Sequence, residues 1–201
     1  MILEHLMRLA LWIAMIGIGW ASADRDDEGI VGSKHDFSQY GWSRKEICLP
    51  CHTPHAASAP DVAPLWDHAA AAPKSYTLYD GGRGQPGPGS LVCLSCHDGS
   101  TAIDAYGGMS GDVFIHDLGG ERALVGGRGD LRGDHPVGIP YPEFDREYRP
   151  KAQVEGEGYV VLPEGRVECI SCHDAHNRHG ADHLLVVDNE RSGLCLSCHR
   201  K

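Results

Sequence analysis

The chain has 201 residues, room for one domain or two small ones, with 18 Lys and Arg against 28 Asp and Glu for a formal net charge of −10. That acidic balance argues against nucleic acid and anionic membrane surfaces as partners and suits cationic partners or metal ions. With 26 Gly and 12 Pro but three Phe, the polypeptide lacks the apolar material to offset the entropy of ordering its backbone, so it requires a large internal staple.

The N-terminus reads as a signal peptide over residues 1–23. Arg8 supplies the positive end, "LALWIAMIGIG" is an apolar stretch short for a bilayer span, and Ala21 to Ala23 form an A-x-A cleavage site. The sequence predicts an exported product, periplasmic or extracellular, of one domain over 24–201 with no membrane span after cleavage.

Eight cysteines follow in four pairs, and a histidine stands directly after each pair. Motif I is "CLPCH" (Cys48, Cys51, His52), and "SRKEICLPCH" reads as a short helical turn leading into the attachment site. The run Ala69 to Ala72 is helix-prone but stopped by Pro73. The tract "YDGGRGQPGPGS" then leads without periodicity into motif II, "CLSCH" (Cys93, Cys96, His97), and "LVGGRGDLRGD" is equally irregular. "GYVVLPEGRVECI" reads as a β-hairpin around "PEG", delivering the chain to motif III, "CISCH" (Cys169, Cys172, His173). Asp188 is placed to cap a helical turn that carries motif IV, "CLSCH" (Cys195, Cys198, His199). The predicted fold class is a mostly irregular multihaem cytochrome c fold: short helices at the CxxCH motifs, one or two small β-hairpins and a core packed on haem.

CxxCH is the attachment pattern of c-type haem, and each residue has a chemical reason for its place. Two thiols add across the two porphyrin vinyl groups, and the adjacent histidine reaches the iron as proximal ligand. Zinc is the strongest rival, but zinc ribbons space their CxxC pairs by about 15–20 residues, whereas the intervals here are 41, 72 and 22 residues. Zinc also gives no reason for a histidine after every second cysteine. Disulfides fit the exported setting but not this pairing, and redox-active CxxC motifs are usually single. The expected cofactors are four covalently bound c-type haems, held by thioethers to the eight cysteines, with His52, His97, His173 and His199 as proximal ligands.

Electron transfer is favoured when a second strong ligand closes each iron. Eight further histidines follow the signal segment, twice the four needed. "CLPCHTPH" and "CISCHDAH" place His55 and His176 three residues after a proximal histidine. Residues so spaced lie on one face of a helical turn, so each reaches a different iron more naturally than the far side of its own. His35 in "GSKHDFS" and His135 in "GDHPVGIPY" complete the expected distal set; Pro136 holds His135 extended. His68, His116, His179 and His183 read as surface polar residues.

The order of "GIVGSKHDFS", "CLPCHTPHAA", "YTLYD", "CLSCHDGS", "GDHPVGIPY", "CISCHDAHN" and "LLVVDNERSGLCLSCH" resembles the OmcE-type tetrahaem cytochromes, from about Gly29 to the end. The resemblance implies little secondary structure, four bis-histidine haems in stacked pairs, a distal histidine donated across a subunit interface, and head-to-tail homopolymers that form extracellular filaments. It also implies His35, His55, His135 and His176 as distal ligands. The sequence therefore predicts an electron-transfer protein without catalytic residues, exchanging electrons with other redox proteins or extracellular acceptors. The rivals are a monomeric periplasmic shuttle and a multihaem reductase, which needs an iron open to substrate.

Overall fold

A computed structural model describes residues 29–53, 55, 65–68 and 75–201. The signal segment and the Ala69 to Ala72 run lie outside these residues. Among them regular structure is sparse, as the composition dictates. Five short helices are present: α1 (Pro88–His97), α2 (Ile115–Gly119), α3 (Lys151–Gly156), α4 (Cys169–Cys172) and α5 (Gly193–Cys198). Strands β1 (Ile139–Pro140) and β2 (Arg166–Val167) form a two-stranded antiparallel sheet, with Ile139 opposite Val167 and Pro140 opposite Arg166. None of these helices is long and apolar enough to cross a membrane.

The low regular structure and the small antiparallel sheet agree with the predicted fold class, but β2 finds a different partner. The run Tyr159 to Leu162 is not a strand. It alternates nonetheless: Val160 and Leu162 are buried while Tyr159 and Val161 are exposed. Its period-2 pattern is satisfied by packing an extended segment against a core, so it needs no ladder, and β2 pairs with β1 instead. Around that pair, Gly138 N–H donates to Val167 O (2.8 Å) and Tyr141 N–H to Gly165 O (2.9 Å). Pro140 therefore costs the sheet no hydrogen bond.

Two other local expectations also change. Within "SRKEICLPCH" the helical turn is confined to the motif, where His52 N–H donates to Cys48 O at 2.8 Å, because Arg44 and Lys45 before it both adopt left-handed backbone (φ 55 and 66), which ends helical propagation. Asp188 does not cap α5. Its Oδ1 accepts from Glu190 N–H at 2.6 Å, closing a separate 3-10 turn at Glu190–Ser192, and Ser192 is the residue that precedes the helix.

Among the described residues helix α1 is the longest, opening on Pro88, whose fixed φ suits the first helical position. It buries Leu94 against Tyr76, Leu78 and Leu131. A second cluster joins Tyr141, Val154, Val160, Leu162 and Val186, with Leu194 and Cys198 packed on its edge. Each apolar cluster thus lies directly against an attachment motif, and neither is large.

Candidate haem-attachment sites

Three of the four motifs share one backbone construction. In each, the proximal histidine N–H donates to the carbonyl of the first cysteine: His52 to Cys48 (2.8 Å), His173 to Cys169 (3.0 Å) and His199 to Cys195 (2.8 Å). The histidine backbone then leaves the turn in an extended conformation, at φ −120, ψ 142 for His173 and φ −89, ψ 148 for His199. A short segment bridges it on the far side. The second cysteine's carbonyl accepts from that segment, and the residue after the histidine donates back to it. Asp67 and Leu65 do this for motif I (3.1 and 2.7 Å), Val186 and Leu184 for motif III (2.9 and 2.7 Å), and Arg149 and Glu147 for motif IV (2.8 and 2.7 Å). Motif II is built differently: His97 remains within α1, and its carbonyl accepts from Val125 N–H at 2.9 Å.

None of the eight cysteines is in a disulfide. Loss of solvent around them pushes the thiol of Cys51 up to about 12, and those of Cys96 and Cys172 up to about 11. The thiols also neighbour one another across motifs. Cys96 adds to the upward shift of Cys51, Cys169 raises Cys93, and Cys198 and Cys195 add to the shift of Cys172. Helices α1 and α4, which carry motifs II and III, are in direct contact. No three His, Cys, Asp or Glu side chains among the described residues converge on a point that would hold one metal ion, as a zinc site requires.

The histidines instead come together in twos. His52 and His176 have ring centroids 6.1 Å apart and planes 5° from parallel; His35 and His97 are 6.2 Å apart with planes at 49°. With metal–nitrogen bonds of about 2 Å and roughly 1.1 Å more to each ring centre, two imidazoles on opposite faces of one metal have centroids about 6 Å apart. Both pairs fit that span. Burial, then His199, then His173 hold His135 below the usual histidine range, so it lies near motif IV. His55 is exposed, and among the described residues no ring contact joins it to a proximal histidine.

The second ring nitrogen is also provided for. His97 Nδ1 meets Ala123 O at 3.1 Å and His173 Nδ1 meets His183 O at 3.0 Å. A backbone acceptor at Nδ1 fixes the tautomer and leaves Nε2 for a metal. Burial, then His97, lower His35 to about 4, against a smaller opposing effect of the Ala175 carbonyl. The ring stays neutral, as a ligand must. The indole Nε1 atoms of Trp42 and Trp66 are buried without a hydrogen-bond partner among the described residues. Such orphans are costly, and haem carboxylates are groups that satisfy them. The residues present fit the cofactor.

His68 departs from the surface reading. It is 2% exposed, its Nε2 meets Pro50 O inside motif I, and its ring lies 5.5 Å from that of Trp66. It braces the first turn, a role that a histidine without a nearby cysteine did not signal. His116 is exposed, lying against Phe114 and Asp117, and His179 sits edge-on to Tyr159. His183 contributes its carbonyl, because its left-handed backbone (φ 59) turns that group onto His173.

A family model described as the doubled CXXCH motif matches residues 163–201, taking in motifs III and IV. That arrangement is typical of multihaem c-type cytochromes. The CXXCH motifs mark covalent attachment of c-type haem, and with it electron transfer. No curated protein matches the chain.

Proposed function

We propose that the chain is an exported tetrahaem cytochrome, with one haem at each of motifs I to IV and two histidines on every iron. It relays electrons along the row of motifs and polymerises head to tail into an extracellular filament. The observation that carries this reading is the His52–His176 pair, nearly parallel rings at the separation one shared iron requires. On the same grounds His35 is the partner of His97, and His135, beside His199, serves motif IV. His55, exposed and three residues from His52, is the remaining candidate for His173, and on this reading it comes from a neighbouring copy.

Bound haem supplies one-electron redox chemistry. The polypeptide does the rest. His52 with His176 and His35 with His97 would hold two of the irons, the carbonyls at Nδ1 of His97 and His173 orient those rings, and the contact between α1 and α4 would keep the haems of motifs II and III close enough for an electron hop. A ligand passed from copy to copy is a heterologous contact, which builds open filaments when the rotation does not close. The acidic surface keeps such an assembly soluble and favours cationic partners.

The test is the native exported product. Its denatured mass should include four macrocycles, its haems should all be low-spin, and negative-stain microscopy should show filaments. Uniform small particles would leave a monomeric shuttle, and a high-spin signal that responds to nitrite, hydroxylamine or a sulfur oxyanion would make it a reductase.

A further inference from the structure

Between motifs II and III lies a buried polar junction that haem attachment by itself does not require. Glu168, the residue before Cys169, is 4% exposed. Both its carboxylate oxygens accept from Gly87 N–H (3.1 Å each), at the residue that precedes α1. Ser90, fully buried one turn before Cys93, donates its hydroxyl proton to Glu168 Oε2 (2.5 Å) and accepts from Cys169 N–H (3.0 Å). Arg166 Nε–H approaches Oε1 at 3.4 Å, while its terminal nitrogen donates to Gln85 O and Gly138 O. The carboxylate thus ties the start of α1 to the start of α4, and Ser90 closes the ring through the backbone of Cys169. The approach is tight, since a Cβ at Gly87 would lie 3.0 Å from Oε1.

This junction determines how far apart the two attachment helices sit. Cys93 and Cys169 stand one on each of two helices that are in direct contact, so the porphyrin edges they would carry are adjacent. A buried carboxylate beside that pair also contributes negative charge where the local dielectric is low and its effect is strong.

We propose that Glu168 is a positioning residue for electron transfer, fixing haems II and III against each other through Ser90 and Gly87 and, with Arg166, setting their potentials. The proposal rests on the tetrahaem reading above. Replacing the carboxylate by an amide keeps the size and leaves Arg166 uncompensated, which favours the ferrous state of the nearest haems.

The experiment uses the full exported holoprotein, its Glu168→Gln and Ser90→Ala variants, Soret circular dichroism and a spectroelectrochemical titration. All three proteins should carry four haems by denatured mass. E168Q should raise two of the four midpoints and leave the other two in place. S90A, which retains the charge, should weaken the exciton couplet of the II–III pair with little movement of the midpoints. If the parent carries four haems and E168Q shifts none of them, or all alike, the proposal is overturned. Should E168Q lose haem, an S90A couplet identical to that of the parent overturns it independently. A parent mass without four haems ends the tetrahaem reading itself.

Discussion

His52 and His176 lie with ring planes 5° apart and centroids 6.1 Å apart, although one follows the first CxxC pair and the other belongs to the third motif's neighbourhood. Contact stacking needs a closer approach. What this separation matches is a gap holding one metal atom. The backbone arranges it through two independent bridges, at Trp66 for His52 and at Leu185 for His173.

Replacing His176 with Ala should therefore alter one haem and spare three. The iron at motif I would lose its second ligand, and EPR should report one high-spin centre among three that remain low-spin. Four low-spin signals in H176A would mean that His176 ligates nothing. A Met in its place should restore a six-coordinate iron at a higher potential.

His68 makes the contrasting case. Its ring nitrogen meets Pro50 O within motif I, so His68→Ala leaves a buried carbonyl without its partner and opens a gap beside Trp66. Loss of a buried hydrogen bond costs about 1–3 kcal/mol, measurable as a lower denaturation midpoint of the holoprotein. Because His68 faces a carbonyl, H68A should keep every haem low-spin. A high-spin signal in that variant would make His68 a ligand.

The two histidines differed in legibility for a physical reason. His176 stands three residues after His173, and that spacing is a local signal. His68 has its role only because the chain returns Pro50 to it, and no pattern in the sequence encodes that return. The attachment bridges were hidden for a related reason. "LWD" and "LLV" share only their first residue and "EYR" shares nothing with either, yet Leu65 to Asp67, Glu147 to Arg149 and Leu184 to Val186 make the same pair of backbone bonds. A single-residue bridge uses backbone groups that every residue but proline possesses, so it leaves no periodicity. The reverse held for Tyr159 to Leu162, where alternation was real but reported burial and not strand pairing. The CxxCH motifs were fully legible because covalent chemistry, unlike packing, fixes both residue type and spacing.

Alkaline pH offers a check on the second apolar cluster. Tyr141 is buried there, and its hydroxyl donates to Arg149 O at 2.8 Å. Burial, then Cys198, push its phenol up to about 12 from an unfolded value near 10. The folded state therefore holds the proton more tightly than the unfolded state. The resulting stability is complete below about pH 10 and is lost as pH rises toward 12. Denaturant midpoints of the holoprotein should fall across that window. Tyr141→Phe should flatten the decline while lowering the neutral-pH midpoint by about 1 kcal/mol for the missing hydrogen bond. An equally steep alkaline decline in Y141F would place the responsible group elsewhere.

His55 and His135 separate assembly from ligation within one copy. His135 and His55 are both exposed, but loss of solvent around the ring and then His199 of the same chain hold His135 below the usual histidine range, whereas Thr53 Oγ1 donates to the His55 carbonyl at 2.8 Å. Under the filament reading, His135→Ala should produce filaments with one high-spin haem per copy. His55→Ala should give discrete particles by negative stain, each with its motif III iron high-spin. Free imidazole should then return that iron to low-spin without restoring filaments, since it supplies a ligand but no link between copies. Filaments of normal length from H55A would require another residue to make the connection.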